Sequence, residues 1–480
     1  MPGLRATGLW LGLAVFAGLL MLPPPAGLEP GAWRVAAVAM LMAAWWMTEA
    51  VPIAVTSLLP LVLFPALGVG DVVEAAAPYA DPLVFLFLGG FLLALALERW
   101  SLHRRIALAV ISVVGTRPAA LVGGFMLATA FLSMWVSNTA TAVMMLPIGL
   151  SVIALLGRSG GAPARLAPAL LLGIAYAASI GGMATLIGTP PNALLVAFMR
   201  RSYGVEIGFA QWMAIGLPIA AVLLLFAWAM LTRLVFRLPR EPIAGSAELI
   251  RGELAALGPI GPAEIRVGLV FAAAVLLWVG RPVLGGVLPA GVDDTVIAVA
   301  AGVLLFVIPA GRGAPPGAAL LDWEAAERLP WGVLLLFGGG LSLAAALGKS
   351  GLAAWIGSGF AGLGGWPVLL VLLLMVAAIV VLSELASNTA TAAAFLPLMV
   401  SVAPALGVDP FLLAVPVALA ASLGFMLPAA TPPNAIVFGS GLLTVPQMVR
   451  AGALLDLAGI IVVVGVAWLL VGLLFVVPAG

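Results

Sequence analysis

Two short stretches of this chain place a hydroxyl, an amide and a second hydroxyl in succession: Ser137-Asn138-Thr139 and Ser387-Asn388-Thr389. Both lie in otherwise apolar sequence. These side chains offer neutral oxygens and N–H donors, so they can hold a carboxylate or a hard cation without a fixed buried charge. Further along, each is followed by a second signal, Thr189-Pro190-Pro191-Asn192 and Thr431-Pro432-Pro433-Asn434. Paired prolines remove two N–H donors and interrupt a helix. The interruption is expected to leave carbonyls unpaired before it and N–H groups unpaired after it. Carbonyls suit a cation such as Na⁺, and helix N-termini suit an anion. One copy of Ser-Asn-Thr reads equally well as a helix cap. Two identical copies, each with its own Thr-Pro-Pro-Asn, read as a binding site.

The repetition is wider than these residues. Ser137-Asn138-Thr139-Ala140-Thr141-Ala142 recurs letter for letter as Ser387-Asn388-Thr389-Ala390-Thr391-Ala392. Leu146-Pro147 recurs as Leu396-Pro397, and Gly89-Gly90 has its counterpart in Gly339-Gly340. Asn and Pro-Pro are costly in lipid and do not drift in twice.

The surrounding elements must be membrane helices. Of the 480 residues 64% are hydrophobic and 8% are charged, which leaves too little polar surface for a soluble protein. The apolar runs do not alternate as barrel strands would. Cysteine is absent and His103 is the one histidine, so disulfides, thiol chemistry and His- or Cys-bound metals are excluded. A net charge of +1 argues against a nucleic-acid partner. No phosphate-binding loop or dinucleotide fingerprint occurs, and no catalytic cluster lies at membrane depth, so the chain does not read as an enzyme.

Coarse span-marking predicts an all-α polytopic protein of about eleven transmembrane helices plus two re-entrant hairpins. Residues 1–30 hold a first span, read as retained rather than as a signal peptide. Residues 31–237 form repeat 1, with spans 2–6 and a hairpin near 118–156. A polar cytoplasmic linker covers 238–266. Residues 267–480 form repeat 2, with spans 7–11 and a hairpin near 369–405. Span 9 is drawn from 331 through 352–363, and span 11 from 454 to 477. An odd number of crossings per half makes this an inverted repeat, the usual pointer to a secondary transporter's binding site. A cytoplasmic N-terminus leaves Arg34, Arg200, Arg201, Arg281 and Lys349 outside and the other basic residues inside.

Phe131 to Thr139, the partner motif at 387, Thr48-Glu49-Ala50-Val51-Pro52 and the Gly-Thr-Pro-Pro-Asn break resemble the signature of the divalent-anion:sodium symporters, dicarboxylate transporters of the INDY type most of all. The resemblance spans the whole chain. It implies one sodium near Ser133, Ser137, Asn138 and the Gly188 carbonyl, and another near Ser383, Ala386, Asn388 and the Ala430 carbonyl. It implies substrate contacts from Asn138, Thr139, Asn388 and Thr389, with Pro190, Thr431 and Pro432 nearby. It further implies a homodimer and an elevator-type movement of the hairpins. Ser383 stands where Thr is commoner, which keeps the hydroxyl.

Other polar residues carry weaker readings. Glu384 reads either as a tuner of ion binding or as an anchor for hairpin backbone, and Glu49 as structural. Asp456 is expected at the interface, His103 with Arg104 and Arg105 on a solvated cytoplasmic face, and Trp45-Trp46 as an interfacial anchor. The glycine pairs are expected to let helices pack closely. Together these readings make the chain a multi-pass inner-membrane carrier for a C4 dicarboxylate such as succinate, malate or fumarate, with Na⁺ as coupling ion. The same motifs would serve a sodium-independent exchanger, or a carrier of sulfate, citrate or another oxyanion.

Overall fold

Proline and its preceding residue decide where many of the helices begin. Asp81 precedes Pro82 and accepts the Leu83 N–H at 3.0 Å, and Asp409 precedes Pro410 and accepts the Phe411 N–H at 2.8 Å. A proline at the first helical position loses nothing, because that N–H has no intrahelical acceptor. The computed structural model describes residues 2–158, 165–242, 245–284, 286–289, 291–359, 362 and 365–472. The expected end of span 11 and of repeat 2, beyond 472, lies outside the described residues, as does most of 360–364.

The described residues are helical throughout, with one isolated β-bridge between Pro309 and Ala319. The longer helices are α1 (Pro2–Met21), α2 (Pro30–Thr48), α3 (Pro82–Arg99), α4 (Leu102–Val114), α5 (Pro118–Ser133), α6 (Asn138–Arg158), α7 (Leu166–Met183), α8 (Pro190–Tyr203) and α9 (Phe209–Ala229). After the middle of the chain come α10 (Ser246–Ala256), α11 (Pro262–Leu284), α12 (Asp294–Val307), α13 (Trp331–Lys349), α14 (Leu352–Gly359), α15 (Val368–Leu385), α16 (Asn388–Val400), α17 (Pro410–Ala421), α18 (Pro432–Phe438) and α19 (Val445–Val466). Among the described residues seven helices are long and apolar enough to cross a membrane, and several others, including both arms of the first hairpin, are shorter apolar helices.

The two hairpins, α5–α6 and α15–α16, turn at the Ser-Asn-Thr motifs. The segments after the breaks cross over between halves. Helix α8 packs on α13, α16 and α17, while α18 packs on α6 and α7. Glycines set the closest approaches. A Cβ on Gly89 would lie 2.4 Å from the Ala298 backbone of α12. A Cβ on Gly339 would lie 2.4 Å from the Ser57 carbonyl. Both glycine pairs thus serve helix packing, as expected.

Several expectations are corrected. Span 9 does not run on through 352. The chain turns at Gly351, whose φ of +78° favours glycine, and starts the separate helix α14. The basic stretch after α3 is the amphipathic helix α4 rather than a simple solvated face. Its Arg104 pairs with Glu253 at 2.7 Å, and its Arg105 pairs with Glu264 at 2.8 Å. His103 is half-buried, with Nδ1 2.8 Å from the Leu97 carbonyl, and burial lowers its pKa. The linker contains α10, which packs on α4. Trp46 is not an interfacial anchor. It is fully buried, with its indole N–H 3.3 Å from Ser57 Oγ. Asp456 is not interfacial either, being 4% exposed. Its helix can approach because Gly452, one turn earlier, lies against the Phe425–Met426 backbone.

Candidate functional site

Each hairpin tip is built the same way. In the first, α5 ends at Ser133, and Ser137 caps α6 by accepting the Ala140 N–H at 3.2 Å. Helix α6 therefore begins at Asn138, and the Asn138 and Thr139 amides have no intrahelical acceptor. In the second, Ser387 holds the extended backbone before α16, which begins at Asn388. The hydroxyl of Ser133 donates to the Ala178 carbonyl at 2.6 Å and lies 2.7 Å from Asn138 Oδ1. The hydroxyl of Ser383 donates to the Ala421 carbonyl at 2.6 Å and lies 2.9 Å from Asn388 Oδ1.

The two breaks are held by equivalent asparagines. The Asn192 amide donates to the Thr185 carbonyl at 2.8 Å and the Gly182 carbonyl at 3.2 Å. The Asn434 amide donates to Leu427 at 3.0 Å and Gly424 at 3.1 Å. Each therefore ties down carbonyls seven and ten residues upstream that the helix break has released. Both asparagines are fully buried, so losing either would orphan several polar groups in an apolar interior.

The remaining supports differ between halves. Thr185 Oγ1 donates to the Met134 carbonyl at 2.5 Å and accepts the Gly188 N–H at 3.1 Å. In the second half Glu384 does the comparable work. Its two carboxylate oxygens accept the N–H groups of Met426 at 2.8 Å and Leu427 at 2.9 Å. Of the two readings open for Glu384, the geometry is that of a backbone anchor. Glu49 pairs with Arg5 at 3.5 Å at the end of α2, consistent with its structural reading.

One cavity of about 660 Å³ collects both tips and both breaks. Asn138, Thr139, Pro190, Asn388, Thr389, Thr431 and Pro432 all line it. So do Ser137, Gly188 and Ala430. Ser133, Ser383 and Ala386 are not among its lining residues. The two serines sit behind the wall, where they fix Asn138 and Asn388. Ala386 closes α15 in extended backbone. The expected N–H groups after the breaks are not free. Pro190-Pro191 and Pro432-Pro433 have none to offer, and the next amides, on Asn192 and Asn434, are taken by the Thr189 carbonyl and the Thr431 hydroxyl. The open donors are those of α6 and α16 instead.

The Asn138 amide sits among three oxygens. With its nitrogen inward it donates to Ser133 Oγ at 2.7 Å, the Ala178 carbonyl at 3.1 Å and the Gly188 carbonyl at 3.2 Å. That orientation satisfies the pocket by itself; an oxygen turned inward would face only acceptors and would need a cation among them. Gly182 permits this crowding, since a Cβ there would lie 2.4 Å from Asn138 Oδ1. The second half is looser: a Cβ on Gly424 would make only ordinary contacts, 3.5 Å from Asn388 Oδ1 and 3.4 Å from the Ala430 side chain. Asn192, Asn434 and Thr185 were not singled out from sequence as support for the site. The available signal was the asparagine that follows both Pro-Pro pairs.

Known proteins agree with this architecture. The structure resembles that of the YdaH transporter of Alcanivorax borkumensis, with a TM-score of 0.61 at 14% identity, over 92% of this chain and 98% of that one. It resembles MtrF of Neisseria gonorrhoeae equally, with a TM-score of 0.61 at 14% identity, over 98% and 97%. At such identities the likeness speaks for the fold alone. In sequence, the chain is 43% identical to a protein of Staphylococcus saprophyticus named sodium-dependent dicarboxylate transporter SdcS, over 97% of this chain and 91% of that protein. The corresponding Staphylococcus aureus protein is 40% identical over 96% and 90%. The family model described as the sodium:sulfate symporter transmembrane region matches residues 4–476. The chain is thus a multi-pass membrane transporter and belongs to the sodium:sulfate symporter family, the divalent-anion:sodium symporters that its motifs resemble.

Proposed function

We propose that this protein is a secondary active transporter that moves C4 dicarboxylates across the inner membrane together with Na⁺. The observation that carries the reading is the convergence of both Ser-Asn-Thr tips and both Pro-Pro breaks on one cavity whose floor is neutral. Relatives 40–43% identical over almost their whole length bear the name sodium-dependent dicarboxylate transporter.

A neutral floor explains the need for a coupling ion. A dianion is costly to carry across lipid without compensation. Two sodium ions would cancel its charge. Ser133, Ser137, Asn138 and the Gly188 carbonyl would hold one, and Ser383, Ala386, Asn388 and the Ala430 carbonyl the other. Asn138, Thr139, Asn388 and Thr389, at the starts of α6 and α16, would hold the carboxylates through open amides and side chains. Pro190, Thr431 and Pro432 would shape the wall. Because Asn138 and Asn388 serve both ligands, cation binding would orient the donors that the dicarboxylate needs.

On this reading the chain carries about eleven spans and two re-entrant hairpins in inverted repeats, 31–237 and 267–480, joined by the 238–266 linker and preceded by the 1–30 span. The hairpins with α7–α8 and α17–α18 would move as a body, elevator fashion, within a homodimer. Glu49, Glu98 and Arg328 also line the cavity, at its end toward the side that charge asymmetry assigns to the cytoplasm on this reading.

The test is radiolabelled succinate uptake into proteoliposomes with and without an inward Na⁺ gradient, and with succinate preloaded. Accumulation driven by Na⁺ is expected. Uptake that depends only on preloaded succinate would make the protein an exchanger. No uptake, with sulfate taken up instead, would replace the substrate and keep the site.

A further inference from the structure

We infer that Arg328 is the residue that first engages the dicarboxylate at the mouth of the cavity and guides it to the Ser-Asn-Thr tips. This rests on the transport reading above. Among the described residues Arg328 is the one cationic side chain lining a cavity that is otherwise neutral at its floor. It is exposed, and its guanidinium forms no ion pair or hydrogen bond among the described residues.

Its freedom has a structural cause. On its own segment Asp322 is already engaged, and neither Glu324 nor Glu327 forms an ion pair with Arg328 among the described residues. Asp322 receives the Arg99 guanidinium at 2.5 Å and caps the short helix Trp323–Ala326 by accepting the Ala325 N–H at 2.9 Å. The Arg99 hydrogen bond holds the Asp322 carboxyl down at about 2, so it stays ionised and committed. The Arg328 N–H in turn bonds the Ala325 carbonyl at 3.1 Å, which fixes the turn from which the side chain reaches the cavity. Arg99 thus takes the Asp322 hydrogen bond, Arg328 reaches Asp322 only through its field, and its guanidinium donors stay open to an incoming anion.

Two carboxylates share the mouth, Glu49 and Glu98. Glu49 is occupied by Arg5. Glu98 forms no ion pair among the described residues and opposes a dianion. Removing it should act in the opposite direction to removing Arg328. A guanidinium at an exposed rim acts mainly on encounter, and salt screens it.

The experiment measures half-saturation for succinate from the face that carries Arg328, in inside-out vesicles at saturating Na⁺ and two ionic strengths. Arg328→Gln is expected to raise KM about fivefold at low salt with maximal rate unchanged, and the difference should shrink in ~0.5 M salt. Arg328→Lys should restore most of the affinity, and Glu98→Gln should lower KM. An unchanged KM in Arg328→Gln, a loss of maximal rate alone that Arg328→Lys does not rescue, or a KM rise that ignores salt would each overturn the inference. Absence of succinate transport by the wild type in the same vesicles would instead count against the substrate assignment.

Discussion

Arg99 and Lys349 stand at the same place in the two halves, each the last residue of a long helix, and each reaches an acid just ahead of the other half's helix. Arg99 pairs with Asp322 at 2.5 Å and Lys349 with Glu74 at 2.7 Å. The repeat in sequence is thus matched by reciprocal contacts between the halves. Both pairs are largely exposed, so each contributes little. A double-mutant cycle on Arg99→Ala and Asp322→Ala should give a coupling below ~1 kcal/mol that fades in salt. Because the folded-state pKa of Asp322 is depressed, its contribution is present above the usual carboxylate range and is lost as pH falls toward about 2. Thermal unfolding of purified protein between pH 7 and pH 3 checks the sign. A variant Asp322→Asn should show less of the acid-side loss than the wild type.

In the proposed function the asparagines at the hairpin tips touch both ligands. Asn138→Ala and Asn388→Ala should each cut Na⁺-driven succinate uptake by about 100-fold or more while the protein still reaches the membrane. Immunoblotting of membranes alongside uptake separates lost function from lost protein. Uptake near the wild-type rate in either variant would remove that residue from the site.

Ser133 and Ser383 lie one layer behind, so their loss should read out differently. Removing the hydroxyl that fixes Asn138 or Asn388 should raise the Na⁺ concentration for half-maximal uptake by about tenfold, worth ~1.4 kcal/mol. The succinate KM at saturating Na⁺ should move much less. Equal shifts in both would mean that the serines support the tip as a whole rather than its cation.

What could be read from sequence, and what could not, follows from the kind of signal each residue leaves. Ser-Asn-Thr and Thr-Pro-Pro-Asn are conspicuous in apolar sequence because each costs energy in lipid unless paired, and every residue named for the substrate lies on one cavity. Helices α4 and α10 were passed over because a search for long apolar runs does not see a short amphipathic helix. Asp456 looked interfacial from its place near a span end. Only the close approach at Gly452 makes it buried. Thr185 and Glu384 could not be matched to each other by sequence, because the two halves tie hairpin to break with different chemistry, a hydroxyl reaching from the break in one and a carboxylate reaching from the hairpin in the other.

Gly89 tests the packing between halves. A Cβ there would lie 2.4 Å from the backbone carbon and oxygen of Ala298, and backbone cannot swing aside as a flexible side chain can. Gly89→Ala should therefore lower folded yield in the membrane severely. Gly348→Ala, near the end of α13, meets no atom within 4 Å and should be tolerated. Detergent-extracted size-exclusion profiles of the two variants make the comparison.

Glu384 offers the sharpest contrast between charge and shape. Its two oxygens each accept a backbone N–H, from Met426 and Leu427, in a setting where the side chain is 3% exposed. Glu384→Ala removes both acceptors and leaves two buried N–H groups without partners, at a cost of ~2–4 kcal/mol. Glu384→Gln keeps one carbonyl oxygen but turns an NH₂ toward the second donor, so it should recover only part of that loss. If Glu384 acted by lending negative charge to the neighbouring cation site, Glu384→Gln would instead be as stable as wild type and would fail in Na⁺ affinity. Thermal unfolding in detergent, measured with and without saturating Na⁺, distinguishes the two. The anchor predicts destabilisation in both conditions by a similar amount, with Glu384→Ala the worse of the pair.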